Sequence, residues 1–245
     1  MAKKSSADVG FLLIDGYDVM SDTTKIEDNI EAQTEETHGL GNPWVERSYT
    51  GVKDLSLTQE GFYDDVASGI NDALNEKSGA RRIICYGING NDPGQEFLAF
   101  EGATQISFTR IAARGELHKA NAEYKGQGQV DRGIILHPYG VETEDGDTEE
   151  SAVDNGEATA GGGAAYLQVS ELDLDGHTNV VIKVMHKGAA WADLVTFTAV
   201  TAAPAKERKV VSGSISQNLA VSWEFTGTPE EAEPSIKFLV GFARF

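Results

Sequence analysis

Cysteine, histidine and basic residues are all scarce in this chain of 245 residues, and each scarcity closes off a class of protein. One cysteine, Cys85, cannot make an internal disulfide, so the fold must stand on packing. It sits between Ile84 and Tyr86 in an apolar run, the setting of a core thiol. The five histidines, His38, His118, His137, His177 and His186, match no metal-ligand spacing, and a lone cysteine cannot complete a structural zinc site. Basic side chains number 20 against 39 acidic ones, a formal net charge of −19. Such a surface repels phosphate, which argues against specific DNA readout and against anionic membranes as partners. It leaves open a protein past which DNA slides without sticking, and equally an acidic surface that serves solubility in a salty medium. No long hydrophobic run occurs: Val9 to Ile14 is too short for a signal segment or a membrane span. With no Asn-x-Ser/Thr acceptor, the expected product is soluble and made in a cytoplasm.

Catalytic signatures are missing too. No Gly-x-Ser-x-Gly elbow, P-loop or His-Glu-x-x-His pattern is present, so the chain is read as a non-enzyme with no catalytic, cofactor or metal residues assigned. Asp173 and Asp175 alternate onto one face before Gly176, which suits calcium or a glycosidase-like pair in principle but reads first as a polar strand end entering a turn. Asp145, Asp147 and Glu149 have the spacing of an EF-hand start. Glu150 stands where that loop needs Gly, and Gly156 where it needs Glu, so an EF-hand is rejected. Trp44, Trp191 and Trp223 suggest either a sugar-stacking platform or core; Trp223 alternates with Val221 and Phe225 as a core face does.

What is present reads mainly as β-strand. Phe11 to Ile14 is apolar and ends in the turn dipeptide Asp15-Gly16. Lys53 to Thr58, Arg82 to Ile88, Phe97 to Phe100 and Ile106 to Ile111 are further strand candidates. One helix is predicted over 63–77, with Val66, Ile70 and Leu74 at a spacing of four and Asp64 and Asp65 in its first turn. The polar stretch 23–43, carrying Glu27, Asp28, Glu31, Glu35 and Glu36, predicts a long loop ahead of Trp44, an arm that orders against a neighbouring subunit or else a solvated loop. Val141 to Glu157 holds eight acidic residues and no basic one, and Ala158 to Gly163 is small and Gly-rich, so 141–163 predicts a linker or exposed loop. It divides the chain into 1–140 and 164–245. The second part offers six strands, Tyr166 to Val169, Asn179 to Met185, Leu194 to Val200, Lys209 to Ile215, Leu219 to Phe225 and Ile236 to Phe242, with a hairpin-like turn at Asp175-Gly176, and predicts a small sandwich or jelly roll. A faint echo between ISFTRIAA (Ile106 to Ala113) and VTFTAVTA (Val195 to Ala202) hints at duplication.

Two segments, WVERSYTGVKDLSLTQEGFYDD (Trp44 to Asp65) and FLAFEGATQISFTRIAARGELHKANAEYKGQG (Phe97 to Gly128), resemble the tail tube (major tail) proteins of long-tailed phages and related viruses. The resemblance covers about the first 140 residues and is one of pattern. It implies a β-sandwich flanked by one helix, sheets joining edge to edge between subunits into an inner barrel, and the 23–43 loop as the assembly arm. It implies self-association into hexameric stacked rings, or trimeric pseudo-hexameric ones if the echo is a duplication, with tape measure and terminator proteins as partners. DNA would pass through the lumen unbound, placing the protein in the virion tail. Asn179 to Leu194 and Leu219 to Trp223 resemble the jelly-roll modules of carbohydrate-binding and galactose-binding-like domains, which implies an appended outer domain and keeps open a lectin-like or capsid-decorating role.

Overall fold

The computed structural model describes residues 5, 8–37, 44, 47–227 and 233–245, apart from the side chains of Thr50 and Val52. The fold is mainly β. In chain order the strands are β1 (Leu12–Ile14), β2 (Tyr17–Asp18), β3 (Thr23–Glu36) and β4 (Arg47–Phe62), followed by the short helix α1 (Ile70–Leu74). Then come β5 (Arg81–Gly87), β6 (Glu96–Ile111), β7 (Lys119–Gly126), β8 (Val130–Glu142), β9 (Gly146–Asp147), β10 (Val153–Asp154), β11 (Gly163–Asp173) and β12 (Asn179–Lys187). The last are β13 (Trp191–Thr196), β14 (Ala205–Val211), β15 (Asn218–Thr226) and β16 (Ser235–Arg244).

Eleven strands form one antiparallel sheet in the order β14-β11-β16-β8-β6-β5-β1-β2, from which β7, β4 and β3 branch beyond β6. The ends of this order meet. Gly16 N–H donates to Gln168 Oε1 at 2.5 Å, Gln168 Nε2 donates to the Ile83 carbonyl, and Lys206 pairs with Asp15. The sheet thus rolls around a core of Phe11, Leu13, Cys85, Phe97, Ala99, Ile135, Ala164, Tyr166 and Leu239. Gly133 and Gly241 flank the Phe97 ring, which a Cβ at either position would overlap. Strand residues of the other parity face outward into two further cores. One, with Leu12, Ile14, Leu57, Ile84, Phe100 and Tyr124, packs under α1. The other, with Leu136, Leu167, Val240 and Phe242, packs against the five-stranded sheet β10-β15-β12-β13 with β9. Burial on both faces explains why β5, β11 and β16 read as near-continuous apolar runs instead of alternating ones.

Several expectations need correction. Residues 23–36 are a 14-residue strand paired with β4 from Thr23↔Gly61 to Glu36↔Arg47, where the sequence predicts a loop; 38–43 lie outside the described residues. The helix shrinks to five residues. Val66 N–H donates to Asp64 Oδ1, Ser68 takes a positive φ, and only then does the helix start, with Asp72 accepting the Ser68 N–H. Glu76, also at positive φ, follows its end. Phe97 to Phe100 and Ile106 to Ile111 are one strand, kinked by a register shift between Gln105 and Ser107.

The 141–163 segment is not a free linker. Its first two residues finish β8, and the remainder is stitched along β15. Trp223 Nε1 donates to the Glu144 carbonyl at 2.8 Å, Phe225 N–H to Asp145 Oδ1 at 2.7 Å, and Val221 N–H to Thr148 Oγ1 at 2.9 Å. A segment with little to bury is held by polar contacts along the small sheet. Nor does the chain divide at this segment: β11, β14 and β16 continue the same sheet as β5, β6 and β8, while β12, β13 and β15 form the facing layer. Asp175 and Gly176 do make a turn with both φ positive, but it passes from one sheet to the other and closes no hairpin. The two echo segments occupy unlike places, β6 with its following turn and the end of β13 with its following loop.

Cys85 lies fully buried against Gln168, and burial pushes its thiol up to about 12. Native protein is expected to show no reaction with a chromogenic disulfide reagent on the timescale in which urea-unfolded protein titrates one thiol per chain. Rapid native labelling would contradict this placement.

Candidate assembly surface

None of the expected chemical candidates assembles into a site. Asp173 Oδ1 accepts the Asp175 N–H, and Asp175 Oδ2 accepts the Glu233 N–H at 2.7 Å, so this carboxylate pair is spent on its own turn and on the segment that enters β16. Asp147 Oδ1 likewise accepts the Glu149 N–H. Among the described residues no three His, Cys, Asp or Glu side chains are grouped to hold a metal ion. The tryptophans are scattered. Trp223 is buried, Trp191 lies under the Lys187 ammonium on β13, and Trp44 is exposed between β3 and β4. His38 lies outside the described residues, and His118, His137, His177 and His186 are spread over separate elements.

The notable geometry belongs to the four-stranded branch β3-β4-β7-β6. Its inner face is apolar: Leu55, Leu57, Ala120, Ala122 and Tyr124 pack toward α1, β1 and β5. Alternation then places every intervening residue on the opposite face. Strand register aligns that face into rows across the sheet. Lys25 lies opposite Glu60, which neighbours Asn121 and Thr109; Glu27 lies opposite Thr58, beside Glu123 and Ser107; Asn29 lies opposite Ser56, beside Lys125 and Thr104. These are charged or hydrogen-bonding side chains, all at least partly exposed. Ion pairs on it are solvated, from Lys25–Glu27 at 2.6 Å to Lys25–Glu60 at 3.4 Å and Lys125–Asp54 at 3.6 Å, so they add little stability. The bonds that hold the branch in place are elsewhere, in the β4–β7 and β6–β7 ladders.

Both lateral edges of the branch are open. Among the described residues β3 pairs with β4 alone along its whole length. On the far side, β6 pairs with β5 only as far as Thr104, so among the described residues Ser107 to Ile111 has β7 on one side and no strand on the other. An open edge of this length is a template for another chain. Beyond Leu55, β3 and the first half of β4 form a two-stranded ribbon that leaves the body of the molecule.

Arg82 and Gln105 went unnoticed in the sequence yet anchor this branch to the rolled sheet. Arg82 is 1% exposed, and its Nε lies 2.5 Å from Asp15 Oδ2. Its Nη1 donates to Gln105 Oε1 at 3.0 Å and its Nη2 to the Ala73 carbonyl at 2.7 Å, while Gln105 Nε2 donates to the Leu74 carbonyl at 2.7 Å. Two carbonyls left open at the end of α1 are thereby satisfied.

The chain matches no protein-family model and no curated protein. Among solved structures it is similar to a chain of the virion of a native gene transfer agent particle, at 12% identity and a TM-score of 0.41 over 53% of this chain and 98% of that one. A chain from the tail of an empty particle of the same kind, refined with C6 symmetry, gives 12% identity and a TM-score of 0.41 over 52% and 97%. The SPP1 Dit protein, described as a hub adsorption apparatus of phages that infect Gram-positive hosts, gives 12% identity and a TM-score of 0.29 over 96% and 98%. At such scores these likenesses carry no weight for what this chain does.

Proposed function

We propose that this chain is a structural subunit of a viral tail, a tail tube protein whose copies join side by side into rings and whose stacked rings conduct DNA. The observation that carries the proposal is the β3-β4-β7-β6 branch, apolar on one face, polar on the other and open at both edges. Two different open edges on one subunit make a heterologous contact, which closes into a ring when the rotation per subunit divides a full turn. Joining β3 of one subunit to the Ser107–Ile111 edge of the next pairs that short edge with the matching stretch of β3 and continues the sheet around the ring. The polar face then lines the lumen. On this face, counting also the rows Glu31–Asp54 and Phe62–Lys119–Ile111, Glu27, Glu31, Asp54, Glu60 and Glu123 outnumber Lys25, Lys119 and Lys125, a mild excess of negative charge. Phosphates sliding past such a wall find few cations to neutralise them, so passage releases few counterions and meets little drag. The ring is proposed to be a hexamer, with one such branch contributed by each subunit. The five-stranded sheet would sit outside the conduit wall, since the branch and that sheet belong to different cores.

Negative-stain microscopy of the purified protein, over a range of salt and concentration, tests this directly. Hollow tubes or stacked rings are expected, with a central channel wide enough for duplex DNA. Persistent monomers under all conditions would overturn the proposal.

A further inference from the structure

At the seam where the roll closes, β14 is held in an unusual way. Every residue of this strand is at least partly exposed, whereas residues 163–169 of β11, with which it pairs, are buried throughout. Among the described residues β14 has no second strand partner, and what fastens its other side is polar. Lys206 pairs with Asp15 across the seam. Arg208 crosses the mouth of the roll: its Nε donates to Tyr166 Oη at 2.8 Å, and its Nη2 lies 3.1 Å from Asp131 Oδ2 and 3.4 Å from Glu101 Oε2. Glu207 accepts from the Thr198 N–H and hydroxyl, and Lys209 donates to the Thr196 carbonyl at 2.7 Å. Packing against the facing layer is open. A cavity of about 350 Å³ lies between the first residues of β14 and 198–202, and one of about 380 Å³ between its last residues and 194–196. The flanks, by contrast, are fixed. Val200 exchanges both backbone bonds with Val180, Ile215 does the same with Thr159, and both side chains are buried in the core between the two sheets. Gly213, at positive φ and with open space around it, leaves the chain free to turn at that end.

We propose that residues 201–214 are a releasable strap: β14 leaves β11 as one unit, turning about Val200 and Ile215 while the rest of the fold stays closed, and its ion pairs make the release sensitive to ionic strength. Release breaks the ladder with β11 and the polar ties, but withdraws no buried side chain of β14 itself, so it costs less than global unfolding. It bares the edge of β11, a row of unpaired backbone groups of the kind that recruits other strands, and the closed strap masks that edge. Lys206 and Asp15 are 33% and 14% exposed and are screened by salt, whereas Asp131, 1% exposed beneath Arg208, is screened far less. Salt therefore loosens the strap through Lys206 and leaves Arg208 as the second latch. Hydrogen exchange, resolved by peptide mass spectrometry at neutral pH, tests this whatever the chain assembles into. The amides of β14 are expected to exchange as one group, with protection at least about tenfold below that of β16 and little dependence on subdenaturing urea. Lys206→Met should lower the protection of that group about tenfold further, and raising the salt from about 0.05 to 1 M should lower it in the wild type but not in the variant. Arg208→Gln combined with Asp131→Asn removes the second latch without leaving a buried carboxylate unpaired, and should loosen β14 with β16 unchanged. A gradient of rates from one end of β14 would mean ordinary fraying, and a urea slope equal to that of β16 would mean that β14 leaves only in global unfolding; either result overturns the proposal. A salt response that survives Lys206→Met would overturn the ionic latch.

Discussion

Replacing Arg82 by Met is expected to lower the unfolding free energy by about 3–5 kcal/mol, read as a fall in the urea midpoint at unchanged slope. The guanidinium is buried and joins three elements at once: the Asp15 turn between β1 and β2, the end of α1 and, through Gln105, the bend in β6. Methionine fills a similar volume but leaves the Ala73 carbonyl without its donor. Asp15 keeps Lys206 and the Ile83 N–H, yet loses its buried counter-charge. A carboxylate left with Lys206 as its one counter-charge, an orphaned Ala73 carbonyl and a Gln105 Oε1 without its donor are the costs, and none is recovered by packing. Arg82→Lys retains charge but not the planar fork that reaches Asp15, Gln105 and Ala73 together, so it should recover only part of the loss. The triple variant Arg82→Met, Gln105→Leu, Asp15→Asn removes the whole polar set and is expected to be more stable than Arg82→Met alone. A cost below about 1 kcal/mol for Arg82→Met would show that the cluster is not the anchor of the branch.

The contrast between β3 and β12 explains what the sequence could reveal. In β12 the residues Val180, Ile182 and Val184 face one core, and the strand stands out as an apolar alternation. Only Ile26 and Ile30 mark β3, and both faces of its outer half meet solvent, so no hydrophobic period exists to be read. Its stability comes from the ladder with β4, which no local pattern encodes. The helix was overestimated for the converse reason. Val66 has the right spacing to Ile70 and Leu74 but is exposed, and the positive φ at Ser68 breaks the repeat between them. Apolar content alone also could not show that β11, β14 and β16 would join the sheet of β5 and β6, since strand pairing across a hundred residues is set by register and core shape. The assembly surface is built from residues that stand apart in the sequence, Lys119 and Lys125 on β7 and Ser107 and Thr109 on β6 among them. Their arrangement in rows with Phe62 and Ile111 emerges only once the pairing of β4, β6 and β7 is known.

Acidification is expected to weaken the fold through His137. The ring is 2% exposed, stacked on Phe238 at 4.1 Å between centroids and edge-on to Trp223 at 4.9 Å. Burial lowers its ionisation to about 4, from a usual value near 6.5. At neutral pH it is therefore uncharged, and its contact with Glu142 Oε1 at 3.2 Å is a hydrogen bond from Nε2–H, not an ion pair. The bare Nδ1 then carries only a lone pair, which is the less costly group to leave unpartnered. The sign follows from linkage: between pH 6.5 and about 4 the unfolded chain binds a proton that the folded chain refuses. The stability present above 6.5 is thus lost as the pH falls toward 4, by on the order of 3 kcal/mol over the whole interval. Glu142 works the other way, because burial raises its carboxyl and its ionisation costs the folded state. The two are separated by comparing wild type with His137→Phe, which keeps an aromatic ring between Phe238 and Trp223. Across urea midpoints at pH 7.5, 6, 5 and 4.5 the wild type should lose stability relative to the variant as the pH falls, since it carries the histidine penalty and the variant does not. Parallel pH profiles would mean that His137 takes up its proton at the same pH in the folded and unfolded chain, and the ring stack would then have to hold a buried cation in acid.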